Sequence, residues 1–314
     1  MSAAADEMSG DKGGSKHDDG GGASGVKRGE PMAKHTSWRV GGPADLYFKP
    51  RDAAELARFL AALPRDVPVH FVGLGSNLLV RDGGVRGAVV ATGALKGTLE
   101  RVDETAVRAS AGVPCMRLAR ECVRWHLGPA AFFAGIPGTV GGALAMNAGA
   151  FGGETWRHVE RVETIDRGGV RRQRAREEFT IGYRRVDGPP GEWFLGATFR
   201  LEHDAASRPA DIRDMLARRN ASQPLGAPSC GSVFRNPPGS FAGRLIEECG
   251  LKGARIGGAF VSEKHANFII NGGAASADDI ERLIDLVRRT VHERSGVLLE
   301  LEARVIGERR EAAA

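Results

Sequence analysis

Long apolar runs are missing. Nowhere in the 314 residues do about 20 apolar side chains follow one another, so no segment can span a bilayer as a helix and no membrane insertion is expected. Cysteine is scarce. The four present (Cys115, Cys122, Cys230, Cys249) form no CxxC pair and no zinc spacing, which excludes a disulfide-stapled fold and a zinc module; no metal site is expected. Cys115 and Cys122 fall seven apart on an apolar helical stripe, which points to core packing. The N-terminus lacks an apolar h-region, so no signal peptide is read there and a reducing cytoplasm is the expected location. Charge of one sign does not dominate. The 44 Lys+Arg against 39 Asp+Glu leave +5, and the densest basic run, Arg171 to Arg176, passes straight into Glu177 and Glu178. It reads as a solvated face, and no nucleic-acid partner is expected. Tyrosine is nearly absent, with Tyr47 and Tyr183 alone.

Glycine is abundant: 44 residues, which implies many tight turns or backbone held close to a ligand. Apolar residues at 42% and charged residues at 26% are ordinary globular usage. The length suits about two domains with a core that needs no staples. Residues 1–30 carry eight glycines, no aromatic side chain and one β-branched aliphatic, Val26. They read as a disordered tail that cannot bury enough surface to offset its ordering entropy.

Beyond the tail the pattern is mixed. A helix is expected at 52–63, capped by Asp52 with Leu56, Phe59, Leu60 and Leu63 on one face. Strands are expected at 67–72, 88–91, 106–111, 159–166, 169–175 and 193–202, with a helix from Pro114 to about His126. After about residue 205 helices recur: one at 209–219, one capped by Ser240, and one with Ser276 and Asp279 at capping-box spacing and Gly296 as its stop. The last strand is expected over 297–306. The fold class is therefore α+β, with a boundary near 203–208.

Four segments carry chemistry. The loop Gly73-Leu74-Gly75-Ser76-Asn77 follows a strand, but Leu78 stands where a dinucleotide fingerprint needs its third glycine, and no helix follows. It reads equally as a plain turn or as a nest of N–H groups for a pyrophosphate. Between residues 135 and 153 lie seven glycines among small or apolar neighbours. A linker would expose Ile136, Val140, Leu144, Met146 and Phe151, so close backbone approach to a ligand is the favoured reading. On the last strand Leu299, Leu301, Ala303 and Val305 alternate with Glu300, Glu302 and Arg304, a solvated edge or an acid/base surface. Ser232, in Gly231-Ser232-Val233-Phe234, lacks a Gly-x-Ser-x-Gly elbow, so a hydrolytic serine is not expected.

Together these segments resemble the UDP-N-acetylenolpyruvoylglucosamine reductase family. The stretches that carry the resemblance are HTSWRVGGPAD (35–45), GLGSNLLV (73–80), AGIPGTVGGALAMNAGAFG (134–152), GYRR (182–185), SCGSVFRNP (229–237), AGRLIEECGLKG (242–253), VSEKHANFIIN (261–271) and LEARVIGE (301–308). The resemblance implies a FAD-binding region over 31–204, in two subdomains of about 31–95 and 96–204, and a substrate-binding domain over 205–310. It implies non-covalent FAD held by Gly73, Gly75, Ser76, Asn77, Leu78, Gly135, Pro137, Gly138, Thr139, Gly141 and Gly142. NADPH would be the hydride donor, and a UDP-sugar carrying an enolpyruvyl ether the substrate. Arg184, Ser232 and Glu302 would be catalytic: Arg184 meeting the substrate's carboxylate, Glu302 orienting it, Ser232 giving the proton. Tyr183, Arg235, Asn236, Lys264, His265 and Asn267 would meet substrate, and the chain would act as a monomer. No tyrosine follows Tyr183, so the chain resembles the shorter class, which lacks a substrate-closing tyrosine loop. Val186 stands where serine is common, and Arg235 where lysine is frequent. Two other readings are weighed beside this one: a FAD-linked oxidase of an alcohol or sugar, and a flavin- or nucleotide-binding module without catalysis.

Overall fold

The computed structural model describes residues 25–95 and 97–310. Its first unit is a four-stranded sheet. In chain order it holds β1 (Val26–Pro31), β2 (Pro43–Phe48), α1 (Ala53–Ala62), β3 (Val69–Val72), β4 (Leu78–Val80) and β5 (Val85–Ala91). The sheet order is β1-β2-β5-β3; β1 runs antiparallel to β2, while β2 and β3 flank β5 in parallel. Asp52 caps α1 by accepting the Glu55 N–H. The tail expectation is corrected at one end: residues 26–30 belong to β1, because Val26 to Glu30 find ladder partners on β2 and the Glu30 carboxylate meets His35 Nε2 at 2.9 Å. Residues 1–24 lie outside the described residues.

The second unit contains β6 (Leu99–Arg101), β7 (Ala106–Ser110), α2 (Cys115–Arg124), β8 (Leu127–Gly128), α3 (Val140–Met146), β9 (Gly149–Ala150), β10 (Gly153–Glu154), β11 (Val159–Asp166), β12 (Arg171–Ala175), β13 (Thr180–Gly182), β14 (Arg185–Asp187), β15 (Glu192–Arg200) and β16 (Glu202–His203). Five strands form one antiparallel sheet, β12-β11-β15-β7-β6. Three hairpin-scale pairs (β9–β10, β13–β14, β8–β16) sit beside it. The glycine-rich segment contains a helix, α3, that is not among the expected helices. Gly141 explains the position: a Cβ there would lie 2.8 Å from the Ala111 Cβ, so α3 packs against the end of β7 closely enough that only glycine fits. Of the apolar residues in that segment, Val140 and Leu144 are fully buried and Ile136 nearly so. Phe151 stays 42% exposed.

The third stretch holds α4 (Pro209–Ser222), α5 (Ala242–Glu248), β17 (Arg255–Ile256), β18 (Ala259–Val261), β19 (Ile269–Asn271), α6 (Ala277–Ser295) and β20 (Arg304–Ile306). The Ser276–Asp279 capping box forms as the spacing predicts, with Ser276 Oγ accepting the Asp279 N–H at 3.0 Å and Gly296 left-handed at the far end. Ser276→Ala should cost about 1 kcal/mol of stability, read as a lower thermal midpoint. Two expectations are corrected. The N-cap of α5 is Phe241 rather than Ser240, and Asn236 Oδ1 takes the Ala242 N–H at 3.1 Å. The terminal strand shortens to 304–306; Leu301 holds only a single bridge to Phe234.

Three packing facts join these units. β20 runs parallel to β4, so the chain's end closes onto the first glycine loop. Trp38, fully buried, belongs to the α5–α6 core; its Nε1 donates to the Ile269 carbonyl at 2.8 Å, and Asn271 Nδ2 donates to the Trp38 carbonyl at 2.9 Å. Ile212 of α4 is buried in the α2–α3 core, with Leu216 packed beside it, so this helix packs with the second unit although it follows residue 205.

Candidate active site

A cavity of about 910 Å³ opens where the three units meet. That is the upper end of the range for small-molecule sites. All eleven residues expected to hold the cofactor line it, from Gly73 to Leu78 and from Gly135 to Gly142. So do Arg184, Ser232 and Glu302, which come from three separate parts of the chain.

The glycine walls are built for close approach. Gly75 is left-handed (φ +64°), and a side chain there would strike the His35 carbonyl. The N–H groups of Gly75, Ser76 and Asn77 donate to no acceptor among the described residues, so three successive amides are left for a ligand. Opposite them Thr139 is nearly fully buried, and its Oγ1 has no partner among the described residues. That hydroxyl would stand 2.7 Å from a Cβ on Gly73. A Cβ on Gly142 would meet nothing nearer than this oxygen at 4.0 Å. An orphaned hydroxyl, free amides and bare α-carbons around one space fit an elongated anionic ligand with a flat part.

Arg184 sits second in the two-residue turn between β13 and β14 with φ +55°, an uncommon conformation for a side-chain-bearing residue. Three bonds fix its guanidinium. Nε donates to Glu302 Oε1 at 2.8 Å, Nη2 to the Gly149 carbonyl at 3.0 Å and Nη1 to the Asn147 carbonyl at 3.3 Å. Both side chains of the ion pair are largely buried, with exposures of 15% and 14%. Burial pushes the Glu302 carboxyl above its ordinary value, while Arg184 and then Arg235 pull it back. Arg235 braces the arginine turn, its Nη2 donating to the Arg184 carbonyl at 3.2 Å.

Ser232 is set by its neighbours. The Val233 N–H donates to the Asn267 carbonyl at 2.9 Å, and the Phe234 N–H to Asn267 Oδ1 at 3.0 Å. Asn267 Nδ2 donates back to the Phe234 carbonyl at 2.8 Å. The Glu302 N–H donates to the Val233 carbonyl at 2.8 Å, so the serine segment and the Glu302 segment are tied backbone to backbone. Ser232 Oγ itself makes no hydrogen bond to the described residues and faces the cavity. The neighbouring Cys230 thiol is held well above its ordinary pKa, by burial first and by Glu302 second, so it is no thiolate nucleophile at neutral pH.

The residues expected to meet substrate flank the segments that line the cavity. Asn267 is buried and spends both ends of its amide on Phe234. Asn236 serves α5, and His265 Nδ1 accepts the Asn267 N–H at 3.2 Å. Lys264 Nζ donates to the Asn220 carbonyl at 2.5 Å. The exposed Tyr183 ring lies 5.0 Å from the Arg184 guanidinium carbon. None of these, nor Arg235, lines the cavity. Arg218, Arg219, Trp193 and His70, for which the sequence offered no expectation, do line it, as does Phe151 of the glycine-rich segment. The one usable signal was two consecutive arginines, Arg218 and Arg219, near the end of an expected helix. Burial pulls the Arg219 guanidinium below its ordinary pKa.

The chain is similar to known proteins over most of its length. Residues 44–173 match the FAD binding domain family, and residues 223–306 match the family described as UDP-N-acetylenolpyruvoylglucosamine reductase, C-terminal domain. The UDP-N-acetylenolpyruvoylglucosamine reductase of Alkalilimnicola ehrlichii is 58% identical over 282 residues, covering 89% of this chain and 94% of that protein. The reductase of Methylococcus capsulatus is 56% identical over 280 residues, 89% of this chain and 92% of its own. Among solved structures, the UDP-N-acetylenolpyruvylglucosamine reductase of Thermus caldophilus matches with a TM-score of 0.76 and 34% identity, over 90% of this chain and 99% of that one.

Proposed function

The chain belongs to the UDP-N-acetylenolpyruvoylglucosamine reductase family, and from that membership we propose how its own residues carry out the reaction. The enzyme is an FAD-dependent oxidoreductase that uses NADPH to reduce UDP-N-acetylglucosamine enolpyruvate to UDP-N-acetylmuramate, a peptidoglycan precursor. The observation that supports the residue assignment is the convergence of Arg184, Ser232 and Glu302 on the cavity that both glycine segments line.

The Gly75–Asn77 amides would hold the FAD pyrophosphate, and the Thr139 hydroxyl and bare Gly138, Gly141 and Gly142 would border the rest of the cofactor. When bound, FAD supplies the passage of hydride from NADPH to substrate. Reduction adds a hydride to the methylene carbon of the enol ether and a proton to the carbon that bears the carboxylate. Charge that builds on that carbon spreads into the carboxylate, and a buried, permanently charged guanidinium is suited to receive it. Arg184 takes this role. Glu302 keeps the guanidinium turned into the cavity through the 2.8 Å bond to Nε. Ser232 holds its proton at an Oγ with no competing protein partner, ready for a basic carbon. The N-terminal units together with α4 form the cofactor wall, and residues after 222 bring the serine and the glutamate. No helix among the described residues is long and apolar enough to cross a membrane. We place the enzyme in the cytoplasm as a monomer.

The assignment is tested by mass. Wild-type protein with NADPH should convert the enolpyruvyl sugar into a product heavier by two hydrogens, while Ser232→Ala and Arg184→Ala should give only traces. Unchanged conversion in either variant would remove its residue from the mechanism. A second test concerns the cofactor wall. In Gly142→Leu the new side chain enters the cavity, while the helix gains from losing a glycine. Compared without FAD, the variant should match the thermal midpoint of wild type, yet it should retain less than about a tenth of its FAD after gel filtration, a loss of more than about 1.4 kcal/mol in cofactor affinity.

A further inference from the structure

Asn147 ends α3 in the left-handed conformation, at φ +47° and ψ +53°. Glycine is the usual residue at such a helix end, and asparagine tolerates the same backbone. Glycine would serve the chain's path as well or better, so the side chain needs a reason of its own. It is 1% exposed, and burying an amide is costly unless its polar atoms are partnered. Both ends have partners: Oδ1 accepts the Trp156 N–H at 3.0 Å, and Nδ2 donates to the Gly182 carbonyl at 3.1 Å. The Trp156 bond sets the orientation of the amide. Its oxygen must take the N–H, so its nitrogen faces the Gly182 carbonyl and, at 3.4 Å, Glu154 Oε2. Trp156 is itself fully buried and tied to α3, its Nε1 donating to the Leu144 carbonyl at 2.8 Å.

Gly182 is the last residue of β13, immediately before the Tyr183–Arg184 turn. The Asn147 side chain therefore grips the arginine hairpin at its base. The Asn147 backbone carbonyl meets the arginine itself, accepting from Nη1 at 3.3 Å. Two residues on, the Gly149 carbonyl takes Nη2 at 3.0 Å. The hairpin and the guanidinium are thus both held by one buried residue. At the other end of α3, Gly141 and Gly142 line the cavity. A helix of seven residues, Val140–Met146, fixes the spacing between that wall and the arginine's acceptors.

We propose that Asn147 is a positioning residue for Arg184, holding its guanidinium in register with the cofactor wall through the grip on Gly182. Glu302 fixes the same guanidinium from the opposite side, at Nε. Asn147 does not line the cavity and acts on the reaction only through Arg184. This rests on the reductase reading and deepens it.

The test uses FAD-loaded protein and separates the two half-reactions. Asn147→Gly keeps the left-handed backbone and its carbonyl and removes the grip on Gly182. Asn147→Asp keeps the volume and the acceptor for Trp156, and turns the donor into an oxygen that repels the Gly182 carbonyl. The aspartate variant decides the matter if the glycine variant does not hold FAD. Bleaching by NADPH should stay within about twofold of wild type, while recovery of colour with UDP-N-acetylglucosamine enolpyruvate should slow about tenfold or more. The loss should fall more on kcat than on KM, because the misplaced charge is needed most as the reaction builds charge on the substrate. In an Arg184→Lys background the same substitutions should cost less than about twofold, since the group they position is gone. An equal loss in both backgrounds would overturn the proposal. So would unchanged recovery of colour in Asn147→Asp, or bleaching by NADPH that slows in step with it. Failure of both variants to hold FAD would give the residue a structural role instead. Wild-type protein whose reduced flavin ignores the enolpyruvyl sugar would overturn the reductase reading itself, whatever the variants do.

Discussion

Ser232→Ala is expected to leave NADPH-driven bleaching of the bound flavin at its wild-type rate and to slow recovery of the colour with UDP-N-acetylglucosamine enolpyruvate by about 10²–10⁴-fold. The split follows from position. Ser232 Oγ is the hydroxyl that faces the cavity without a protein partner, on a segment locked by Asn267 on one side and by the Glu302 backbone on the other. Removing one oxygen leaves those locks intact, so packing and cofactor binding should hold. What disappears is the proton for the new C–H bond. Ser232→Cys offers a discriminating control. A thiol is a better acid than a hydroxyl, so a proton-donor role predicts partial rescue, whereas a turn-forming role predicts none. Equal half-reaction rates in wild type and Ser232→Ala would remove the serine from the chemistry.

Arg184→Lys is the second large effect. Charge is retained, yet kcat/KM for the enolpyruvyl substrate should fall by about 10²–10³-fold, with the NADPH half-reaction little changed. A lysine ammonium is a point charge on a flexible stem. It cannot reproduce three bonds in one plane to Glu302, Gly149 and Asn147 while still facing a carboxylate. The Glu302 carboxylate, already strained by burial, would lose its directed partner. Protonation of Glu302 should therefore become easier still, and the residual activity of Arg184→Lys should fall off at a higher pH than that of wild type. A lysine variant within threefold of wild type would mean that charge alone suffices and that the turn geometry is incidental.

The two glycine segments were readable from sequence because glycine packs poorly, so a cluster of glycines needs a reason outside the core. The catalytic three were not readable in that way. A serine in a turn, an arginine in a hairpin and a glutamate on a terminal strand are ordinary singly, and only resemblance to a family joined them. Their meeting depends on long-range pairing: the Phe234–Leu301 bridge, the parallel match of β20 to β4, and the reach of Arg184 to Gly149. Periodicity carries none of this. Asn236, Lys264, His265 and Asn267 follow or precede cavity-lining segments along the chain, and their side chains bond backbone groups, a pairing that no local pattern announces. The left-handed backbone of Phe151 and the place of the α4 arginines were not legible, because a positive φ and a helix's choice of packing partner are properties of the folded chain. Local signals did fix the caps of α1 and α6, where a side chain and an amide lie three residues apart.

The most direct test of the account is an anaerobic one. The purified protein is reduced with NADPH, UDP-N-acetylglucosamine enolpyruvate is added without oxygen, and the visible absorbance of the flavin is followed. Rapid return of the oxidised spectrum, with UDP-N-acetylmuramate formed in equal amount, is the predicted result. A flavin that stays reduced with this substrate and recovers only on admission of air would contradict the account and favour an oxidase.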